Sequence, residues 1–149
     1  MSNAALRRAD FPPAELFRGL TPQEVDLAMN AAKQRRYRAK SVIYHQGEPT
    51  QYFLLLREGR ARYFYQTENG KKLILRWILP GYSFGLAALS SPMDHYLVSA
   101  EAVQDSVVAA WDARTIRALT QQVPRLTENG LFATHYLFSW YIGPCSHVL

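Results

Sequence analysis

Few side chains in this 149-residue sequence are of types that do chemistry. There is one cysteine, Cys145, and there are four histidines, His45, His95, His135 and His147. A single thiol excludes an internal disulfide framework, a four-cysteine zinc site and a cysteine-ligated iron–sulfur cluster. A nucleophile pair made from Cys145 and His147 has no third group to orient it and no pocket around it. A metal-dependent enzyme on a β-roll needs a His-x-His pair, a nearby Glu and a further His, whereas His45 and His95 each stand alone. No catalytic residue and no metal site is therefore assigned. His45 at a strand end and His95 in a loop read as exposed or hydrogen-bonded histidines, and the same two are the candidates should a group need an axial imidazole.

The other concentration of chemistry is positive charge. The formal net charge is +5, and most of the excess lies in Lys33, Arg35, Arg36, Arg38 and Lys40. A basic cluster attracts phosphate or other anions. With one aromatic among them, Tyr37, these residues read first as a solvated segment between a helix and the first strand, and only second as a nucleic-acid contact.

The elements that would position these groups follow from period and punctuation. Residues 1–14 read as disordered. Leu16, Phe17 and Leu20 form a short apolar turn. Thr21-Pro22 with Glu24 is a helix start with a capping box, and the helix runs to about Lys33 with Val25, Met29 and Ala32 on its apolar face. From Arg36 the period changes to two. Val42–Tyr44, Tyr52–Leu56, Arg60–Gln66, Leu73–Leu79, Leu97–Val103 and Ser106–Trp111 read as strands. Asn69-Gly70 predicts a type I′ hairpin turn. Asp112 caps a helix from Ala113 to about Gln122, and Pro124 opens another that runs to Ile142. Short strands at about ten-residue spacing suggest a closed roll or sandwich.

This order resembles the cyclic-nucleotide-binding domain of the CRP/FNR family of bacterial transcription regulators. The matching residues are Leu16-Phe17-x-x-Leu20-Thr21, Val42-Ile43-Tyr44-His45-Gln46-Gly47-Glu48 and Tyr52-Phe53-Leu54-Leu55-Leu56-Arg57-Glu58-Gly59. They continue through Asn69-Gly70, Pro80-Gly81-x-x-Phe84-Gly85 and Ala100–Val103. The resemblance implies a mainly β fold with flanking helices, a double-stranded β-helix jelly roll over residues 15–124. A long dimerisation helix would follow over 125–142, then a loose tail over 143–149. It places an effector pocket beneath a short helix, Leu86 to Ser90, lined by Phe84, Gly85, Leu86, Ala87, Ala88, Leu89, His95, Tyr96, Leu97 and Val98. It places a homodimer interface on the last helix through Leu131, His135, Phe138 and Ile142.

The resemblance stops at the ligand chemistry. Cyclic-nucleotide binders of the family hold the ribose with a glutamate after Phe-Gly and the phosphate with an arginine about ten residues on. Here Leu86 and Tyr96 stand at those positions, and Leu97 and Val98 replace the small residues beside the arginine. An unpaired phosphate in an apolar pocket costs several kcal/mol, so ordinary cAMP or cGMP binding is not expected. The altered stretch looks most like the nitrogen-oxide-responsive branch, in which haem is the suspected cofactor, and haem needs an axial ligand such as His95 or His45 in an apolar slot. The family's DNA-reading helix-turn-helix would have to follow Ile142, and the seven remaining residues cannot form one. The expected function is therefore an effector-sensing domain that controls a DNA reader absent from this chain, with the effector itself unidentified. The alternatives are a haem-based gas sensor or a degenerate dimerisation domain whose pocket its own side chains fill. No apolar run approaches the ~20 residues of a membrane span and no leader segment is evident, which predicts a cytoplasmic protein without membrane contact.

Overall fold

The structure is a computed structural model that describes residues 14–89 and 94–130. A 3₁₀ turn, Glu15–Phe17, precedes helix α1, Pro22–Asn30. Eight strands follow: β1 Lys33–Tyr37, β2 Val42–Tyr44, β3 Tyr52–Glu58, β4 Ala61–Gln66, β5 Lys72–Ile78, β6 Ser83–Phe84, β7 Ser99–Ala102 and β8 Ser106–Asp112. A 3₁₀ helix, Leu86–Leu89, lies between β6 and β7, and helix α2, Ala113–Gln122, follows β8. Residues 125–130 are helical again. The strands form two antiparallel four-stranded sheets, in the orders β1-β8-β3-β6 and β2-β7-β4-β5, which face each other as a jelly roll.

The apolar run Phe53-Leu54-Leu55-Leu56 is explained by burial on both faces. Leu54 and Leu56 point into the roll with Val108 and Ala110 of β8. Phe53 and Leu55 point the other way, with Ala109 and Trp111, into a second core against the helices. A strand covered on both sides needs no polar alternation. The second core ties α1 to the sheet directly, since the Trp111 indole Nε1 donates to the Ala28 carbonyl at 2.7 Å.

Helix starts follow the expected chemistry. Thr21 Oγ1 accepts from Glu24 N at 3.1 Å while Glu24 Oε1 accepts from Thr21 N, a complete capping box. Asp112 Oδ1 accepts from Thr115 N at 2.8 Å, and α2 occupies the expected span.

Three local expectations are corrected. α1 ends at Asn30, and the basic residues from Lys33 form a strand rather than a solvated connection. β1 is the edge of its sheet, where charged side chains reach water and discourage further pairing. The β4–β5 turn is not type I′, because Gly70 has positive φ but Asn69 does not. Gly70 N donates to Thr67 O and Thr67 N to Lys71 O, a longer loop whose left-handed position falls on the glycine. The strand expected from Leu97 begins at Ser99 instead, after the loop holding Leu97 and Val98.

Several expectations lie outside the described residues: the disordered N-terminus, most of the last helix with its interface residues Leu131, His135, Phe138 and Ile142, and the tail with Cys145 and His147. No described helix is long and apolar enough to cross a membrane.

Candidate functional site

The region expected to hold an effector is built by β6, the 3₁₀ helix Leu86–Leu89, and the loop from Asp94 that leads into β7. β6 pairs with β3 through Leu54↔Phe84 and Leu55↔Ser83. Gly85 then takes a φ of +76° directly over the start of β3. A Cβ there would sit 2.7 Å from the Tyr52 carbonyl oxygen, so only glycine permits this approach.

The 3₁₀ helix divides its side chains between the two cores. Ala87 joins the interior of the roll, whereas Ala88 joins the core beneath the helices, with Leu86 and Leu89 packed against that same core. The Ala88 carbonyl accepts from Arg117 Nε of α2 at 3.2 Å. Leu86, at the position of the family's glutamate, thus packs on the helical side of the sheet.

Tyr96 is the centre of the interior. Its ring stacks on Tyr44, with centroids 3.8 Å apart and planes 14° from parallel. Its hydroxyl accepts from the backbone N–H groups of Gln51 and Tyr52 at 3.0 and 2.9 Å and donates to the Tyr52 carbonyl at 3.0 Å. Tyr44 in turn accepts from Gly85 N at 3.1 Å, and its ring lies 6.2 Å from that of Phe84. The backbone N–H of Gly85 is therefore already occupied by a phenol. Tyr63, Phe84 and Ala100 complete the apolar surround.

Of the ten residues expected in the pocket, the structure brings Phe84, Gly85, Ala87, Tyr96 and Val98 to the roll interior. It turns Leu86, Ala88 and Leu89 toward the helices. Leu97 is 56% exposed and does not line an interior site. His95 forms an isolated bridge with Pro49, and its half-exposed ring pairs with Asp94 at the surface. His45 is exposed on the outward side of the chain next to inward-facing Tyr44. Neither histidine faces an apolar slot, so the described residues do not fit a haem. Among them no three His, Cys, Asp or Glu side chains gather as a metal site.

Burial raises the pKa of Tyr44, Tyr63 and Tyr96 above the ordinary tyrosine value of 10.0, because a phenolate inside the roll would lose its water. The sign follows directly. All three phenols are neutral in both states below about pH 10, and above it the unfolded chain ionises first. The stability they contribute is present below pH 10 and is lost as pH rises through their raised folded values. Arg57, lowered by burial to about 10, works in the opposite sense, but it is one group against three. Circular dichroism against urea at stepped pH should show stability falling above pH 10, by up to about 1.4 kcal/mol per unit for each tyrosine still protonated only in the folded state.

Sequence reasoning missed Tyr44 and Tyr52 as parts of this site. The available signal was position: Tyr44 closes an apolar strand ahead of exposed His45, and Tyr52 opens the strand that contacts Gly85.

Residues 34–123 match the family model described as the cyclic nucleotide-binding domain. The chain is 32% identical over 114 residues to the Cyclic AMP receptor protein of Thermus thermophilus, covering 76% of this chain and 52% of that one. It superposes on the crystal structure of the Thermus thermophilus Catabolite Activator Protein with a TM-score of 0.72 at 30% identity, over 83% of this chain and 58% of that one. The sensor domain of the transcriptional regulator DNR from Pseudomonas aeruginosa gives a TM-score of 0.69 at 20% identity, over 87% and 86% of the two chains, a likeness of fold. The chain spans about half the length of its curated Thermus relative. With its roll, its glycine-hinged 3₁₀ helix and these relatives, the chain belongs to the cyclic nucleotide-binding domain family, as the sensory domain found in CRP/FNR-type transcription regulators.

Proposed function

We propose that this chain is the effector-sensing part of a CRP/FNR-type regulator, acting as a homodimer and governing a DNA-binding part outside the sequence given. Its effector is not cAMP or cGMP held in the family's usual way. The observation that carries this reading is Tyr96. The residue at the arginine position is a phenol whose hydroxyl is committed to the backbone of Gln51 and Tyr52 and whose ring fills the interior against Tyr44. At that position Tyr96 offers a cyclic phosphate no guanidinium, and burying the phosphate without that partner is costly.

Sensing would work by population shift, with an effector favouring one of two packings of the 3₁₀ helix against α2. The Arg117–Ala88 bond and the packing of Leu89 against the chain at Gly130 join that helix to the segment leading to residues 125–130. A second reading, a degenerate dimerisation domain, is favoured by the same filled interior. Thermal unfolding of the chain against cyclic nucleotides, haem, inorganic phosphate and small organic acids separates the two. A raised midpoint with one acid or phosphate supports sensing, and a flat response throughout supports the degenerate domain.

A further inference from the structure

The basic strand β1 presents its charges on two faces. Residues paired across an antiparallel ladder share a face. Arg35 pairs with Val108, which lies in the roll interior, and Arg36 pairs with Val107, which does not. Arg35 therefore lies along the mouth of the roll, together with Tyr37 two residues on. There its Nε donates to the Tyr37 hydroxyl at 3.0 Å and its Nη1 to the Tyr52 hydroxyl at 3.3 Å. The guanidinium carbon stands 4.8 Å from the Tyr52 ring centroid and 5.7 Å from that of Tyr37.

This arrangement holds a cation and leaves its charge unneutralised. Among the described residues no carboxylate lies within ion-pair distance of Arg35, and its Nη2 makes no hydrogen bond. Both phenols accept from the guanidinium, so each hydroxyl proton remains to be donated elsewhere. The outcome is one oriented cation flanked by two O–H donors, braced against an aromatic wall. Fork-shaped donors of this kind suit the oxygens of a phosphate or carboxylate.

We propose that Arg35, Tyr37 and Tyr52 form a binding site for a small oxyanion, a phosphate or carboxylate group, at the mouth of the roll and apart from the filled interior. The site enters from the strand opposite the loop that supplies the family's arginine position. It is also wired to the interior. The Tyr52 backbone carries two of the three bonds to the Tyr96 hydroxyl, Tyr96 stacks on Tyr44, and Tyr44 holds Gly85 at the head of the 3₁₀ helix. The proposal stands whether or not the chain governs a DNA reader.

The test is a low-salt titration of the whole chain with inorganic phosphate and, separately, malonate, read by ¹H–¹⁵N chemical shifts. Arg35→Gln and Arg36→Gln remove the same charge from the same strand but from opposite faces. Saturable shifts at residues 33–37 and 52, weakened about tenfold or more by Arg35→Gln and less than about twofold by Arg36→Gln, are expected, since hydrogen bonds to a charged group exceed a screened long-range field. Phosphate binding without malonate binding would assign a phosphate ligand, and the reverse a carboxylate. Equal weakening by the two variants would reduce the effect to the general field of a basic strand and overturn the proposal, as would the absence of saturable shifts with both anions.

Discussion

Tyr96→Ala is expected to destabilise the chain by about 3–5 kcal/mol, the range for truncating a buried aromatic. The side chain is only 5% exposed and is stacked on Tyr44. Its loss also orphans the N–H groups of Gln51 and Tyr52 and the Tyr52 carbonyl at the start of β3. Tyr96→Phe isolates that second contribution, because the ring and its stack remain. Its cost should be about 1–3 kcal/mol, the penalty for leaving partly buried polar groups without partners. Urea unfolding followed by far-UV circular dichroism measures both. If Tyr96→Ala costs under about 1 kcal/mol, the residue does not brace the interior, and the filled pocket loses its physical basis.

Gly85→Ala should cost about 3 kcal/mol or more, from two sources that add. A non-glycine residue at φ +76° costs roughly 1–2 kcal/mol. The new Cβ would also lie 2.7 Å from the Tyr52 carbonyl oxygen, which is backbone and cannot rotate away. Relief requires the loop to lift from β3, which would stretch the Tyr44–Gly85 bond and shift the 3₁₀ helix. Gly70→Ala is the natural control. Gly70 has a similar φ but open space around it, so it should lose only the conformational share. Near-equal losses at the two positions would mean that the contact with Tyr52 is not tight.

Most of the frame was legible in the chain. The capping box at Thr21 and Glu24 and the Asp112 cap mark helix starts because side-chain chemistry within one turn decides them. β3 was legible as a strand, while the burial of both its faces emerges only from the structure. β1 was not, because an edge strand gains its pairing from distant β8 and leaves no apolar alternation in Lys33-Gln34-Arg35-Arg36-Tyr37. β6 was missed because two residues carry no period.

At the site, the substitution of Tyr96 for an arginine was visible from position alone. What the chain could not reveal was where the replacement side chains go. Leu86 faces the helices rather than the roll, and Leu97 faces water, because a 3₁₀ helix and an irregular loop set their directions by tertiary contact. The Tyr96 hydroxyl finds the backbone of residues 51 and 52, more than forty positions away, which no local pattern encodes.

The central claim is that the family's nucleotide site is occupied by the protein's own aromatic side chains. Isothermal titration calorimetry of the purified chain with cAMP tests it most directly. The account predicts no saturable heat at ligand concentrations up to the millimolar range. Saturable binding with a micromolar dissociation constant, about −8 kcal/mol, would contradict it, because Tyr96 and Tyr44 would then have to part and a buried phosphate would have to be held without an arginine at position 96.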